Sequence, residues 1–484
     1  MDTTEVAEEQ ATRALASRLR GELHLPENPD YEAARGVWNG AFDRHPALIV
    51  RCAGVEDVIA AVHFAREQAL PLSVRSGGHS VAGYGTNEGG MVLDLSCMKA
   101  IRIDPERCTA RIEPGLTWGE VSNALQPSGL VLTAGDTATV GVGGLLLGGG
   151  IGWMVCKYGL AIDHLRAVEL VTADGQFLRA SADEHGELFW GLRGGGGNFG
   201  VATAFEVDLH PGGTILGGAV FYEASEAEPI LQAYARLASA APEELTSQAL
   251  LMPAPPAPFI PPDKQGTPVV ALLLCYTGNL AEGGRVVAPL RTLGPVLADL
   301  VAPMPYPTIF HLAEAAEIRG LQHHVRSQLF DRPSEEMVQA LAEAAHAVMS
   351  PATLIQLRLL GGAMSRVAAD ATAFAHRDTQ AMVMVTHFGP PPSIDPADLH
   401  ARTEHVWQAL APYASGVYAN MLGNEGEQRV HEAYPLSTYA RLAALKRQYD
   451  PANLFHLNQN ILPAEAQEKR RRGEENGSDE PIAL

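Results

Sequence analysis

A histidine within a glycine- and serine-rich turn is the residue of this sequence best placed to do chemistry. Apolar runs on both sides of the turn, at residues 72–74 and 91–95, are typical of strands. Glycines let backbone N–H groups approach an anion closely, so the turn is suited to a phosphate-bearing cofactor. A solvated loop histidine is the alternative interpretation. The residues of the turn are Arg75, Ser76, Gly77, Gly78, His79 and Ser80.

Two further glycine-rich segments strengthen the cofactor interpretation. Seven glycines fall within the twelve positions 141–152, and a third cluster occupies residues 191–200. A backbone with so few side chains can lie against a diphosphate or a flat ring. From these segments we predict that the cofactor contacts Thr139, Val140, Gly141, Gly143, Gly144, Gly149, Gly150, Gly152, Asn198, Gly200 and Val201.

The third cluster also matches the dinucleotide fingerprint G-x-G-x-x-G, from Gly195 to Gly200. That fingerprint requires a strand before it and a helix after it, so that the pyrophosphate meets the helix N-terminus. Here the order is reversed, because a predicted helix over residues 184–192 precedes the cluster and a predicted strand over residues 201–205 follows it. The pattern therefore argues against a nicotinamide-binding Rossmann domain.

Composition excludes several classes of partner. The chain has 484 residues and carries 35 basic against 56 acidic side chains, a net charge of −21, which repels nucleic acids and anionic membranes. It contains no run of about twenty apolar residues and no basic, then apolar, N-terminal leader, so we expect a cytoplasmic protein that does not bind membranes. Five scattered cysteines without a C-x-x-C pair predict neither disulfides nor a metal site.

The pattern of predicted elements divides the chain. Strands and helices alternate up to about residue 210, and longer helical stretches separated by apolar runs follow. We predict an α+β protein with an N-terminal arm (residues 1–40), a cofactor domain (41–212) and a second domain with a helix-backed sheet (213–415). A C-terminal segment (416–463) returns to the cofactor domain, and a disordered charged tail (464–484) ends the chain.

Together with a C-terminal motif, the three glycine segments resemble the berberine-bridge-enzyme-like flavoproteins. These proteins belong to the vanillyl-alcohol-oxidase and p-cresol-methylhydroxylase class of FAD oxidases. Among them, the motifs of this chain most resemble those of bacterial hydroxynicotine and sugar oxidases. The resemblance covers about residues 40–212 and 413–463. It implies a two-part FAD-binding domain, an antiparallel-sheet substrate domain and FAD contacts by two asparagines of the C-terminal motif. The motif comprises Tyr449, Asp450, Pro451, Asn453, Leu454, Phe455, Asn458, Gln459, Asn460 and Ile461.

The resemblance also implies how FAD is attached. His79 matches the family histidine that bonds covalently to the 8α-methyl group of FAD, and a neutral imidazole is the nucleophile that this bond requires. Many relatives add a second bond from a cysteine to flavin C6. Thr137 occupies that cysteine position here, and a hydroxyl does not replace a thiolate, so we predict a single covalent link.

The catalytic base of several relatives has no counterpart in this chain. Met421 stands at the position of a tyrosine base, and the strand over residues 381–385 lacks the glutamate found in plant relatives. Oxidation of an alcohol needs a base for the hydroxyl proton, whereas a neutral amine can lose hydride without one, which favours C–N oxidation. As residues touching the substrate we predict Tyr418, Gln356 and His387.

The function predicted from these residues is an FAD-dependent oxidase of a small organic molecule. The substrate would lose hydride from a C–N or C–O carbon to covalently bound FAD, and O₂ would be reduced to hydrogen peroxide. Two alternatives stay open: a dehydrogenase or cyclising flavoenzyme that hardly uses O₂, and a non-catalytic flavin-binding protein. The sequence does not indicate an oligomeric state.

Overall fold

The computed structural model describes residues 3–389 and 395–464. Apart from Ala464, the predicted tail lies outside the described residues. Among those residues, none of the helices combines the length and the apolar character needed to cross a lipid bilayer.

The first part of the chain forms a small parallel sheet that presents the histidine turn. Strand β3 ends at Arg75, so the turn begins at the carboxyl end of this strand. Helix α3 covers the sheet with a buried stripe that includes Val58, Val62 and Ala65, and it ends before Pro71, as predicted. The elements are α1 (Thr3–Arg18), β1 (Glu22–His24), α2 (Tyr31–Arg35), β2 (Leu48–Arg51), α3 (Val55–Glu67), β3 (Leu72–Arg75) and β4 (Met91–Asp94), with strand order β1-β2-β4-β3.

The N-terminal segment is part of this sheet and not an appended arm. Strand β1 pairs antiparallel with β2, with Glu22 opposite Arg51, and α1 packs against α3. A boundary at residue 40 therefore has no counterpart in the sheet, because backbone hydrogen bonds join the segments on either side of it.

An antiparallel sheet follows and carries the second and third glycine segments between its strands. Thr117 caps the helix that follows it, as a hydroxyl residue with a glutamate three positions on favours: Thr117 Oγ1 accepts from the Glu120 N–H at 3.4 Å, and the Glu120 carboxylate accepts from the Thr117 N–H at 2.8 Å. The elements are β5 (Ile101–Asp104), β6 (Thr109–Ile112), α4 (Trp118–Leu125), β7 (Leu130–Val131), α5 (Val142–Gly148), α6 (Val155–Tyr158), β8 (Leu165–Val171), β9 (Phe177–Ser181), α7 (Gly186–Leu192), β10 (Val201–Asp208) and β11 (His210–Pro211), with sheet order β5-β6-β10-β8-β9 and a separate pair β7–β11.

The second domain is an eight-stranded antiparallel sheet with helices on one face, which confirms the predicted fold class. Alternation along β18 sets the two faces: Ile355 and Leu357 pack against α8, α10 and α11, while Gln356 lies on the opposite face. The elements are β12 (Thr214–Glu223), α8 (Ala227–Ser239), β13 (Leu245–Pro253), β14 (Pro268–Tyr276), α9 (Leu280–Val287), β15 (Val296–Asp299), β16 (Ala302–Pro305), β17 (Gln322–Phe330), α10 (Glu335–Val348), β18 (Thr353–Leu359), β19 (Ala381–Gly389) and α11 (Pro396–Leu410).

The C-terminal segment returns to the first domain through a buried ion pair. In helix α13 (Leu436–Tyr449), which follows α12 (Glu427–Ala433), the ammonium of Lys446 is fully buried. It donates to Asp450 Oδ2 at 2.7 Å and to the backbone carbonyls of Asn198 and Phe455 at 2.9 and 2.8 Å. Burial lowers the pKa of Lys446, and the Asp450 carboxylate opposes that shift. Lys446 therefore ties the C-terminal motif to the third glycine segment.

We expect Lys446→Met to destabilise the protein by about 3–5 kcal/mol, because it leaves the Asp450 carboxylate buried without its cation. The midpoints of thermal and urea unfolding measure the change. The matched control is Lys99→Met, since the Lys99–Glu120 pair is about half exposed and contributes at most about 1 kcal/mol. Equal losses in the two variants would contradict a special role for Lys446.

Candidate active site

One cavity of about 460 Å³ lies between the two domains, with the glycine segments on one wall and the open face of the large sheet on the other. Its volume is in the range typical of small-molecule and cofactor sites. The cavity collects the polar residues of both domains, so it is the candidate active site.

The first two glycine segments touch backbone to backbone and form one continuous wall. A Cβ atom on Gly77 would lie 2.4 Å from the Gly141 nitrogen, and one on Gly141 would lie 2.2 Å from the Gly77 nitrogen. The hydroxyl of Ser76 links the same segments, since it donates to the Pro114 carbonyl at 2.5 Å and accepts from the Gly143 N–H at 3.3 Å. Any side chain at residue 77 or 141 would push the segments apart.

The third glycine segment is joined to the C-terminal motif through Asn198. Its amide nitrogen donates to the carbonyls of Gly195 and Gln459, and its amide oxygen accepts from the Ile461 N–H at 3.1 Å. The side-chain oxygens of Asn458 and Asn460 are buried and have no protein partner within the described residues. Because buried polar atoms are normally satisfied, these oxygens fit a bound polar molecule, most directly at Asn458, which lines the cavity.

His79 is held in place by two contacts. Its Nε2 atom lies 3.0 Å from Thr139 Oγ1, and its ring stacks on Trp38 with centroids 5.3 Å apart. Burial, with smaller contributions from Arg319 and His323, lowers the pKa of His79 to about 3. The imidazole is therefore neutral throughout the physiological range, and Nδ1 is the nitrogen without a hydrogen bond among the described residues.

A short segment that contains Trp38 and Asn39 joins the His79 turn to the second domain. The N–H of Trp38 donates to the Gly78 carbonyl at 3.0 Å, and its indole also stacks on His323 with centroids 3.9 Å apart. Asn39 exchanges two hydrogen bonds of 2.9 Å with the backbone of His323. From the other side, Arg319 donates to the Gly77 carbonyl at 2.8 Å. Sequence reasoning missed Trp38, Asn39 and Arg319, because contacts between distant segments leave no local pattern.

Most of the predicted cofactor residues line the cavity, and some do not. Gly149, Gly150 and Gly152 pack against protein: a Cβ on Gly152, for example, would lie 2.1 Å from the Ala134 carbonyl oxygen. Val201 is buried in a hydrophobic core together with residues of the first sheet, and Thr139 and Asn460 do not line the cavity. The predicted residues that line the cavity are Arg75, Ser76, Gly77, Gly78, His79, Ser80, Val140, Gly141, Gly143, Gly144, Asn198, Gly200 and Asn458.

Of the three predicted substrate contacts, Tyr418 and Gln356 line the cavity and His387 does not. On β19 the even-numbered residues face the cavity, while His387 faces the helices, where its Nδ1 lies 3.0 Å from Thr353 Oγ1. Burial lowers the pKa of His387 to about 4. The predicted catalytic role of His387 is therefore corrected, because period-two alternation places it on the wrong face.

The phenol of Tyr418 is arranged to donate a hydrogen bond into the cavity. Its oxygen already accepts from the Gly150 N–H at 2.8 Å and from the Asn420 amide at 2.9 Å. Burial raises the pKa of Tyr418 to about 12, although both donors oppose the shift. With its lone pairs engaged and its proton retained, the phenol cannot serve as a base at neutral pH, but it can donate to a bound molecule.

Gln356 belongs to a buried polar network that starts beside the second glycine segment. Asp136, in the loop before that segment, pairs with Arg358, and Arg358 Nε donates to Gln248 Oε1 at 3.1 Å. The same Gln248 oxygen accepts from the amide of Gln356. Gln356 and Arg358 share one face of β18, because residues two positions apart on a strand point to the same side. Asp136 and Gln248 were missed because each lies far away in sequence.

The fold and this site define a flavin-dependent oxidoreductase, and known proteins agree. Residues 46–181 match the FAD binding domain family, and residues 417–462 match the family described as berberine and berberine like. (R)-6-hydroxynicotine oxidase of Paenarthrobacter nicotinovorans is 33% identical over 455 residues, which cover 92% of this chain and 97% of that protein. An FAD-linked oxidoreductase of Dictyostelium discoideum is 30% identical over 436 residues, covering 88% and 91%.

Solved structures have the same architecture. 6-Hydroxy-D-nicotine oxidase from Arthrobacter nicotinovorans matches with a TM-score of 0.83 at 31% identity, covering 92% of this chain and 98% of that one. Chitooligosaccharide oxidase matches with a TM-score of 0.81 at 23% identity, covering 94% and 99%, which establishes a shared fold. The chain belongs to the berberine-bridge-enzyme-like family of FAD-linked oxidoreductases.

The residues of the cavity fit FAD. The fused glycine wall leaves room for a diphosphate beside its backbone N–H groups, and Asn458 supplies an unpaired acceptor. When bound, the flavin supplies the site with a two-electron acceptor for hydride. The protein contributes the neutral His79, the donor Tyr418 and a wall of apolar side chains that excludes water.

We expect Gly77→Ala to lower the ratio of bound flavin to protein by about tenfold, because the added Cβ forces apart the two segments of the wall. Absorbance of the purified protein at the flavin and protein maxima measures the ratio. Gly284→Ala is the control, since a Cβ there meets no atom within 4 Å. Full flavin content in the Gly77 variant would refute the importance of the backbone contact.

Proposed function

We propose that the protein is an oxidase that carries FAD on a single covalent bond to His79. A small organic substrate loses hydride from a C–N or C–O carbon and a proton from the attached nitrogen or oxygen. O₂ takes up the two electrons and leaves as hydrogen peroxide, so its partners are a small molecule and O₂. The observation that carries the proposal is the neutral, oriented imidazole of His79 at the edge of the FAD cavity.

The surroundings of His79 support a covalent bond. Thr139 occupies Nε2 and the Trp38 ring fixes the plane of the imidazole, so Nδ1 is left as the nucleophile. A protonated histidine could not attack, and a pKa of about 3 keeps the ring unprotonated at neutral pH.

A single bond, and not two, is supported by Thr137. This residue lines the cavity, and its hydroxyl donates to Asp136 Oδ1 at 3.2 Å. A threonine hydroxyl is not ionised at neutral pH and lacks the nucleophilicity of a thiolate. The described cysteines nearest to this wall in sequence, Cys108 and Cys156, do not line the cavity.

The lack of a free carboxylate in the cavity supports C–N oxidation. Asp136 is the acidic residue among the described lining residues, and it is paired with Arg358. Tyr418 is engaged as an acceptor and stays protonated. A neutral amine loses hydride without a base, and the name of the relative from Paenarthrobacter, a hydroxynicotine oxidase, points to an amine-containing substrate.

We expect His79→Ala to bind FAD that acid releases. Without the imidazole no bond to the 8α-methyl group forms, but the glycine wall is intact. Precipitation in trichloroacetic acid measures the outcome: the parent protein gives a yellow pellet, and the variant a yellow supernatant. Replacing the exposed His45 by alanine should leave the pellet yellow. Colour retained by the denatured His79 variant would disprove the linkage.

The oxidase activity is tested by anaerobic bleaching of the flavin. The purified protein is mixed with cyclic amines, secondary alcohols, phenols and sugars, and air is then admitted. We expect cyclic amines to bleach the flavin, and air to restore its colour with one hydrogen peroxide per bleached flavin. Bleaching without recovery in air would indicate a dehydrogenase, and no bleaching with any class would favour a flavin-binding protein.

A further inference from the structure

Each charged side chain that lines the cavity within the described residues is paired with an opposite charge. Three charged side chains line the cavity: Arg75, Asp136 and Arg358. Arg75 donates to the buried Asp94 at 2.9 Å, and Arg358 is paired with Asp136. Within the described residues, the cavity therefore has no carboxylate free for a substrate cation.

Arg358 is not free to bind a substrate anion either. It makes four hydrogen bonds: two to Gln248, one to Asp136 and one to the Ile151 carbonyl. A guanidinium has five N–H donors, so only one is left for a ligand. A carboxylate on the substrate would have to displace Asp136, whose charge would then be unpaired.

The network orients the amide of Gln356 toward the cavity. Because Arg358 donates to the side chain of Gln248, the atom it meets must be the oxygen of that amide. The group of Gln356 that meets the same oxygen must then be its NH₂. The carbonyl oxygen of Gln356 has no protein donor among the described residues, so it is presented to a ligand together with the second N–H.

Apart from the amide of Gln248 and the guanidinium of Arg358, the surroundings of Gln356 are apolar. In the register of the sheet it lies between Leu250 on β13 and Met384 on β19. Further along the same face the lining is mostly hydrophobic, although Thr353, Thr386 and His323 also line the cavity. The apolar residues on this wall are Leu250, Met252, Leu273, Val325, Leu354, Met382, Met384 and Phe388.

We propose that the substrate binds in an uncharged form, as a largely apolar molecule whose single polar edge donates a hydrogen bond to Gln356. An unpaired ion would lose its hydration in this cavity without gaining a partner. A sugar would leave most of its hydroxyls against methyl and thioether groups, so polyhydroxy substrates are disfavoured as well. The inference rests on the proposed oxidase function and assigns the substrate class of the same site.

Matched ligands test the proposal. Benzyl alcohol, benzylamine, benzoate and glucose are titrated into the flavin-loaded protein without oxygen, and binding is followed by calorimetry and by the flavin spectrum. We expect benzyl alcohol to bind most tightly at pH 7. The apparent Kd of benzylamine should fall about tenfold per pH unit as the pH rises toward the pKa of the amine, because only its neutral form binds.

Substitutions at Gln356 assign the contact. Gln356→Leu should weaken benzyl alcohol binding about tenfold, since it removes the hydrogen bond. Gln356→Glu should reverse the ranking in favour of benzylamine at pH 7 and remove its pH dependence. The exposed Gln339→Leu is the control and should leave all four affinities unchanged.

The proposal and the oxidase function fail in different ways. Tighter binding of benzoate or of cationic benzylamine, a pH-independent affinity of the amine in the parent protein, or no binding of benzyl alcohol would each overturn the proposal. Calorimetry does not require turnover, so the expected ranking without bleaching by any substrate would refute the oxidase function and leave the inference about the cavity standing.

Discussion

The site depends on the backbone contact between Gly77 and Gly141. Gly77 lies in the turn after β3 and Gly141 lies directly before α5, and their backbone atoms approach so closely that neither position has room for a Cβ. The contact joins two glycine segments into one wall, and the wall places His79 at the edge of the cavity. A cofactor that spans both segments would bind without reorganising either of them, because their geometry is determined before it arrives.

A second constraint is that segments far apart in sequence are joined by buried contacts around the cavity. Lys446 and Asn198 hold the C-terminal motif against the third glycine segment with buried hydrogen bonds, and Trp38 and Asn39 hold the His79 turn against β17. The first set of contacts closes the cofactor domain on its own C-terminal segment, and the second set ties the second domain to the cofactor domain beside His79. Contacts of this density explain how a cavity between two domains can keep a fixed shape although its walls come from distant parts of the sequence.

Sequence patterns predicted the features that depend on residues close together in the chain, such as turns, helix caps and strand faces. The glycine turn at His79, the N-cap at Thr117 and the shared face of Gln356 and Arg358 follow from residue type and spacing, and the structure agrees with them. His387 was assigned wrongly because its position at the end of a strand did not reveal which face it occupies. Trp38, Gln248 and Arg319 were not predicted, since their importance arises from partners more than a hundred residues away in sequence.

The neutrality of His79 and the pairing of every lining charge have one physical origin. A cavity closed by apolar side chains penalises any ion that lacks a partner, whether that ion is an imidazolium, an ammonium or a carboxylate. The same penalty that depresses the pKa of His79 keeps Tyr418 protonated and holds Arg358 on Asp136. In such a site, orientation matters more than charge: the His79 imidazole, the Tyr418 phenol and the Gln356 amide are all neutral groups whose directions are set by neighbouring hydrogen bonds. Such an environment requires that the substrate, like the side chains around it, carries no net charge when it binds.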